Sequence, residues 1–198
     1  MSERATPRRP ARLPLRGAGW LPALAVLVAA HAAIAGGLLR AGVALPGIGP
    51  QPWWTAAVLD HAALMVGSFM GTVIAVERAV ALRRPFAWAA PLLSAAAGVA
   101  LLAGARGTGA WLLVASGTVF VAVNAVLVQR QPAPHTSLLL ASAVAWLTGH
   151  ALFAAGAGAA PVVPWWFTFL IVTIAAERLE MTRLMRRRRG ANAALYAL

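Results

Sequence analysis

Polar residues punctuate this chain at nearly regular intervals, and between them lie six apolar runs, each close to the length that a membrane-spanning helix needs. Such a helix takes about 20 mostly apolar residues at about 1.5 Å each. The runs cover residues 20–39, 54–76, 87–105, 110–128, 137–157 and 162–182. Turn chemistry separates them: PGIGPQP at 46–52, RRP at 83–85, RGTG at 106–109, QRQPAP at 129–134 and GAGAAP at 156–161. Short connections of this kind predict antiparallel neighbours. The expected fold is all-α, a polytopic six-helix transmembrane bundle over 18–185. It is flanked by a disordered basic tail at 1–17 and a second basic tail at 186–198.

Composition agrees with burial in lipid. Of the 198 residues, 61% are hydrophobic and 11% charged, and the mean hydropathy is +0.75. A soluble globule of that composition would expose far too much apolar surface. The 17 basic residues are all arginine and give a formal charge of +12. They lie at run ends and in the tails, not on one basic face. That distribution predicts membrane topology and contact with anionic lipids, and it argues against nucleic acid.

Arginine placement also predicts orientation, because positive residues are retained on the cytoplasmic side. Arg4, Arg8, Arg9, Arg12 and Arg16 precede the first run; Arg78, Arg83 and Arg84 follow the second; Arg130 follows the fourth. Arg178, Arg183 and Arg186 to Arg189 follow the sixth. Only Arg40 and Arg106 stand opposite. Both termini are therefore expected in the cytoplasm, in a bacterial inner membrane. The first run, at nearly 20 residues, exceeds the about 7–15 of a cleavable signal and counts as a span.

Cysteine is absent, which removes disulfides, thiolate metal sites and thiol catalysis. No hydrolase triad, phosphate loop or zinc-protease motif occurs, and no enzymatic activity is inferred. Histidine is the remaining candidate chemistry. Measured from the inner boundary, His31, His150 and His61 lie roughly 17, 20 and 22 Å up their helices. Neutral imidazoles at one level on separate helices are how a bundle builds a haem or copper site, and a thioether is a suitable further ligand. Along the second run His61, Met65, Ser68 and Thr72 follow i, i+4, i+7, i+11 spacing, which places them on one face of an α-helix. His61, His150, His31 and Met65 are thus the candidate ligands for haem b or copper. Trp146, one turn before His150, is a candidate packing partner. Asp60 is a candidate orienting or proton-carrying group. His135 falls in the 4–5 loop, where a solvated histidine is expected.

The alternatives are a small proton, ion or solute transporter that uses Asp60 and the histidines, and a noncatalytic membrane subunit. Simple interhelical hydrogen bonding accounts for the histidines equally in the latter case. Gly67 and Gly71 form a GxxxG that admits close helix approach, either within the bundle or in a homodimer or larger complex.

An internal echo adds a second feature. GTVIAVERAVALRR at 71–84 and IVTIAAERLEMTRL at 171–184 share Ile-Ala-x-Glu-Arg. The two runs should point the same way, so Glu77, Arg78, Glu177 and Arg178 should share one depth. The expectation is a crossed clamp, Glu77 with Arg178 and Glu177 with Arg78.

The stretch DHAALMVGSFMGT, with methionine four residues after histidine, resembles the His-x-x-x-Met segment of NnrS-type bacterial membrane proteins. The resemblance covers mainly the second run. It implies haem or copper binding and a link to nitric oxide and nitrosative stress, with His61 and Met65 as the ligands carried over. GTVIAVERAVALRRP looks more like a set of short bacterial integral membrane proteins.

Overall fold

The computed structural model describes residues 20–47 and 51–184. The tails assigned to 1–17 and 186–198 lie outside the described residues, as do positions 48–50 of the first connection. Within them the chain is all-α. The helices are α1 (Trp20–Arg40), α2 (Pro52–Leu59), α3 (Gly71–Leu82), α4 (Ala89–Leu102), α5 (Arg106–Arg130), α6 (Pro134–Ala154) and α7 (Ala159–Leu184). A π-helical segment, Ala63–Met70, leads into α3, and a 3₁₀ turn, Pro85–Trp88, leads into α4.

Five helical stretches among the described residues are long and apolar enough to cross a membrane: Ala63–Leu82, Pro85–Leu102, Arg106–Arg130, Pro134–Ala154 and Ala159–Thr182. The Leu24–Arg40 stretch of α1 is a shorter apolar helix. Outward faces carry large apolar side chains such as Leu27, Val73, Val99, Trp111 and Ile171. A water-soluble bundle would cover that belt; a membrane protein presents it to lipid.

Local sequence sets the ends. Pro52 starts α2, where its missing N–H costs nothing. Arg83 closes α3 in the left-handed region at φ 55°, its N–H donating to the Ala79 carbonyl at 3.1 Å. Pro85 then prevents continuation. Arg130 Nη1 donates to the Leu82 carbonyl at 2.9 Å, which satisfies one of the free acceptors at that helix end. Thr136 Oγ1 accepts from the Ala133 N–H at 3.1 Å at the start of α6.

The second apolar run departs from the continuous helix that its composition predicts. The chain bends at Asp60, between α2 and the π-helical segment. A π-helix bonds i to i+5, so its turn is wider and the α-helical stripe through His61, Met65, Ser68 and Thr72 loses register. Ser68 and Thr72 are buried, whereas His61 and Met65 are half-buried.

Sequential helices pack on one another, α4 on α5, α5 on α6 and α6 on α7, while α1 covers α2, the π-helical segment and α4. Three glycines permit the closest approaches. A Cβ at Gly36 would collide with the Ala57 carbonyl, one at Gly71 would occupy the place of the Trp146 indole, and one at Gly98 would meet the Ser68 hydroxyl. Hydroxyls tie the layers: Ser94 Oγ donates to the Gly67 carbonyl at 2.6 Å and Ser116 Oγ to the Ala90 carbonyl at 2.8 Å.

Candidate functional site

On α6 the spacing i, i+4, i+8 sets Ser142, Trp146 and His150 on one face, and on α7 Trp166, Phe169, Thr173 and Glu177 form the facing stripe. These two stripes meet. Trp166 Nε1 donates to His150 Nδ1 at 3.2 Å, and Thr173 Oγ1 donates to Ser142 Oγ at 3.1 Å. Between the two bonds lies an aromatic layer. Trp146 stacks on Phe169 with centroids 5.1 Å apart and takes the Phe120 ring edge-on at 5.2 Å. His150 sits above it, 4.5 Å from Trp146.

His150 is wholly enclosed. Because its Nδ1 accepts a hydrogen bond, the ring is the neutral tautomer with its proton on Nε2. That Nε2 has no protein hydrogen-bond partner, and neither does Trp146 Nε1 one turn away; the buried Ser68 Oγ, set against Gly98 of α4, and Thr72 Oγ1 are unpaired as well. Each such group costs about 1–3 kcal/mol when left unpaired. For His150 and Trp146 the cost falls where the π-helical segment and α3 meet α6, since Gly67 and Gly71 abut these two rings.

At one end of this seam a cleft of about 380 Å³ opens, lined by Arg40, Asp60, His61, Arg106, Phe153 and Trp166 among others. Asp60 is 5% exposed. Arg106 Nε lies 3.2 Å from Asp60 Oδ1, an ion-pair distance. The N–H does not point along that line, so Oδ1 accepts no hydrogen bond. The Arg106 guanidinium also covers the Phe153 ring at 5.0 Å. Asp60 and His61 precede the Ala63–Leu82 span. Burial raises the Asp60 carboxyl above its ordinary pKa although Arg106 opposes this. Burial and the nearby Arg40 charge lower that of His61.

At the opposite end Arg78, buried, donates to Glu177 at 2.8 Å and lies 3.8 Å from Glu77. The other half of the crossed clamp is not formed. Arg178 is exposed, and among the described residues it makes no ion pair with Glu77. The echo repeats in sequence, but the two helices present it to the core at different angles.

The three candidate imidazoles do not converge. His31 is exposed on α1, tilted against Trp54 at 6.0 Å. His61 lines the cleft beside Gly37. His150 stands one layer behind the cleft wall, with Trp166 between. Among the described residues no group of three His, Cys, Asp or Glu is placed to hold a metal ion. His150 in its present tautomer has no lone pair on Nε2 to offer a metal, and its Nδ1 lone pair is taken by Trp166. The donor set therefore does not fit a three-imidazole haem or copper centre. Gly67 and Gly71 face inward against Leu113, His150 and Trp146, so the GxxxG serves packing within the chain. His135 is 2% exposed, in the first turn of α6, because that helix starts at Pro134 and draws the residue out of the loop.

Sequence reading singled out His150 and Asp60 but missed Trp166, the aromatic layer and the cleft. Adjacent to Trp165 at the start of an apolar run, Trp166 has the sequence context of an interfacial tryptophan. Its spacing of three and seven residues before Phe169 and Thr173 is the signal that places it on the inward face.

No curated protein and no solved structure matches the chain. A family model described as a domain of unknown function, DUF8744, matches residues 18–198. By that match, which takes in every helix described above, the chain belongs to the DUF8744 family.

Proposed function

We propose that this is a multi-pass membrane protein that carries protons, alone or with a small solute, along the seam between α3, α6 and α7. One observation carries the reading: His150 is an enclosed imidazole with an unpaired Nε2–H, linked through Trp166 to a charged cleft. Ionisable groups inside a membrane are costly and are functional candidates by default.

An imidazole can take a proton at one nitrogen and release one from the other. Trp166 occupies Nδ1, so displacement of its indole is the step that admits a proton from the cleft. Release of the Nε2 proton into the seam, where α6 packs against Gly67, completes the transfer. Below, the layer of Phe120, Trp146 and Phe169 keeps the interior dry, and Ser142, Thr173 and the Glu177–Arg78 pair continue the polar seam. The bend at Asp60 and the π-helical segment supply the interrupted helix on which such pathways are commonly built.

The arginine distribution supports six crossings with both termini cytoplasmic, in a bacterial inner membrane whose anionic lipids meet the basic ends. In that orientation the cleft is the outer mouth. The test is proton flux in proteoliposomes with an internal pH dye under an imposed potential. Flux above that of empty vesicles, lost in His150→Phe, supports the reading. A rate equal to that of empty vesicles, or one untouched by His150→Phe, sinks it.

A haem b or copper centre on His61 with Met65 remains the rival. It is favoured by one fact, that both side chains are half-buried on successive turns with His61 at the cleft. A Soret band or stoichiometric copper in purified protein, lost in His61→Ala, decides for it.

A further inference from the structure

The cleft at the Asp60 end combines three chemistries that one ligand class satisfies together. Asp60 is a nearly enclosed carboxylate whose Oδ1 accepts no hydrogen bond. Arg40 is exposed and the Arg106 side chain is 61% exposed, so both guanidinium groups have N–H donors to spare. Trp166 and Phe153 supply apolar walls. The volume, about 380 Å³, falls at the small end of the range for small-molecule sites.

A plain carboxylate would satisfy the arginines but set a second anion beside an already underbonded one. A plain amine would satisfy Asp60 but meet two guanidinium charges. A molecule with both groups on one carbon avoids each conflict, because its ammonium and carboxylate are neighbours, as Asp60 Oδ1 and Arg106 Nε are at 3.2 Å. Its apolar remainder can lie on Trp166, whose indole is also the contact to His150.

We propose that the cleft binds a small zwitterion, an α-amino acid with an apolar side chain, its ammonium on Asp60 and its carboxylate on Arg40 and Arg106. This deepens the reading of the seam as a proton pathway and rests on the cleft being its mouth. A bound side chain pressing on Trp166 would couple occupancy to exposure of His150 Nδ1.

Calorimetric titration of the full chain in mild detergent tests it with three probes: L-leucine, 4-methylpentanoate, which lacks the ammonium, and isoamylamine, which lacks the carboxylate. Leucine should bind saturably and the other two about ten-fold or more weakly, the loss of a charge-assisted hydrogen bond. Asp60→Asn should reduce leucine to the level of 4-methylpentanoate. Arg40→Gln, at an exposed position that leaves the fold intact, should reduce it to the level of isoamylamine. Saturable binding of 4-methylpentanoate as tight as leucine, unchanged in Asp60→Asn, overturns the zwitterion in favour of a simple anion site. No saturable binding of leucine overturns it outright, and proton flux lost in His150→Phe would then show that the pathway stands without it. Saturable leucine binding by native protein whose proton flux equals that of empty vesicles supports the cleft and removes the pathway.

Discussion

Trp166 Nε1 donates to His150 Nδ1 at 3.2 Å, and this single bond decides which nitrogen of a wholly buried imidazole carries the proton. The expected consequence is spectroscopic. In protein labelled with ¹⁵N-histidine, one ring should show the Nε2-protonated tautomer across neutral pH, with a scalar coupling to the indole proton. Trp166→Phe removes the donor and leaves Nδ1 buried and unpaired, which should cost about 1–3 kcal/mol and release the tautomer preference. A His150 ring protonated on Nδ1 in the native protein would remove the basis of the relay.

The approach of Gly71 to Trp146 is a second point where one atom matters. A Cβ there meets the indole and, at 3.1 Å, Ser94 Oγ. Gly71→Ala should therefore destabilise the bundle by about 1–3 kcal/mol through overpacking, despite the better helix propensity of alanine. Trp146→Leu should relieve the clash, so that the double variant is more stable than the two single changes predict by addition. Thermal unfolding in detergent measures all three.

How much of this was legible beforehand depends on what kind of information each feature needs. The apolar runs were readable because lipid forces each span toward the same length, and α4 to α7 lie close to the predicted 87–105, 110–128, 137–157 and 162–182. The bend at Asp60 and the π-helical segment were not readable. Residues 57–78 are apolar almost throughout, and the wide turn ends where Gly67 and Gly71 pack against Leu113, His150 and Trp146, more than 40 positions away. Rotation about a helix axis was equally hidden. In a helix apolar on every side, His31 outward and His150 inward look alike in sequence, as do Arg178 and Arg78 in their shared motif. The Arg78–Glu177 contact was foreseeable from the echo; which half of the clamp would form was not.

That asymmetry gives a third prediction. Arg78 is 7% exposed at its side chain and Glu177 37%. Glu177→Gln strands an enclosed guanidinium whose remaining acidic neighbour, Glu77, is 3.8 Å away. It should cost about 1–3 kcal/mol, below the about 3–5 of a fully buried pair because solvent reaches Glu177. Arg178→Gln, at an exposed position, should stay within about 0.5 kcal/mol. Equal costs for the two changes would mean that the echo acts as a symmetric clamp after all.

The last prediction concerns acid. Asp60 has a pKa raised above its unfolded value of 3.8 by burial, against the pull of Arg106. The folded state then binds this proton more tightly than the unfolded state does, so stability falls as pH rises between the two values. The protonated form gives its full contribution below about pH 3.8, and that contribution is lost as pH climbs through the folded value. His61 runs the other way. Its folded pKa lies below 6.5, so its contribution is present above that value and is lost as pH falls through the folded one. The two slopes oppose each other wherever their windows overlap, and the bare profile of the protein hides both. Asp60→Asn separates them: subtracting its unfolding profile from that of the native chain should leave a difference that declines from acid toward neutral pH. A flat difference would place Asp60 at its ordinary pKa, and one rising with pH would mean that Arg106 outweighs burial.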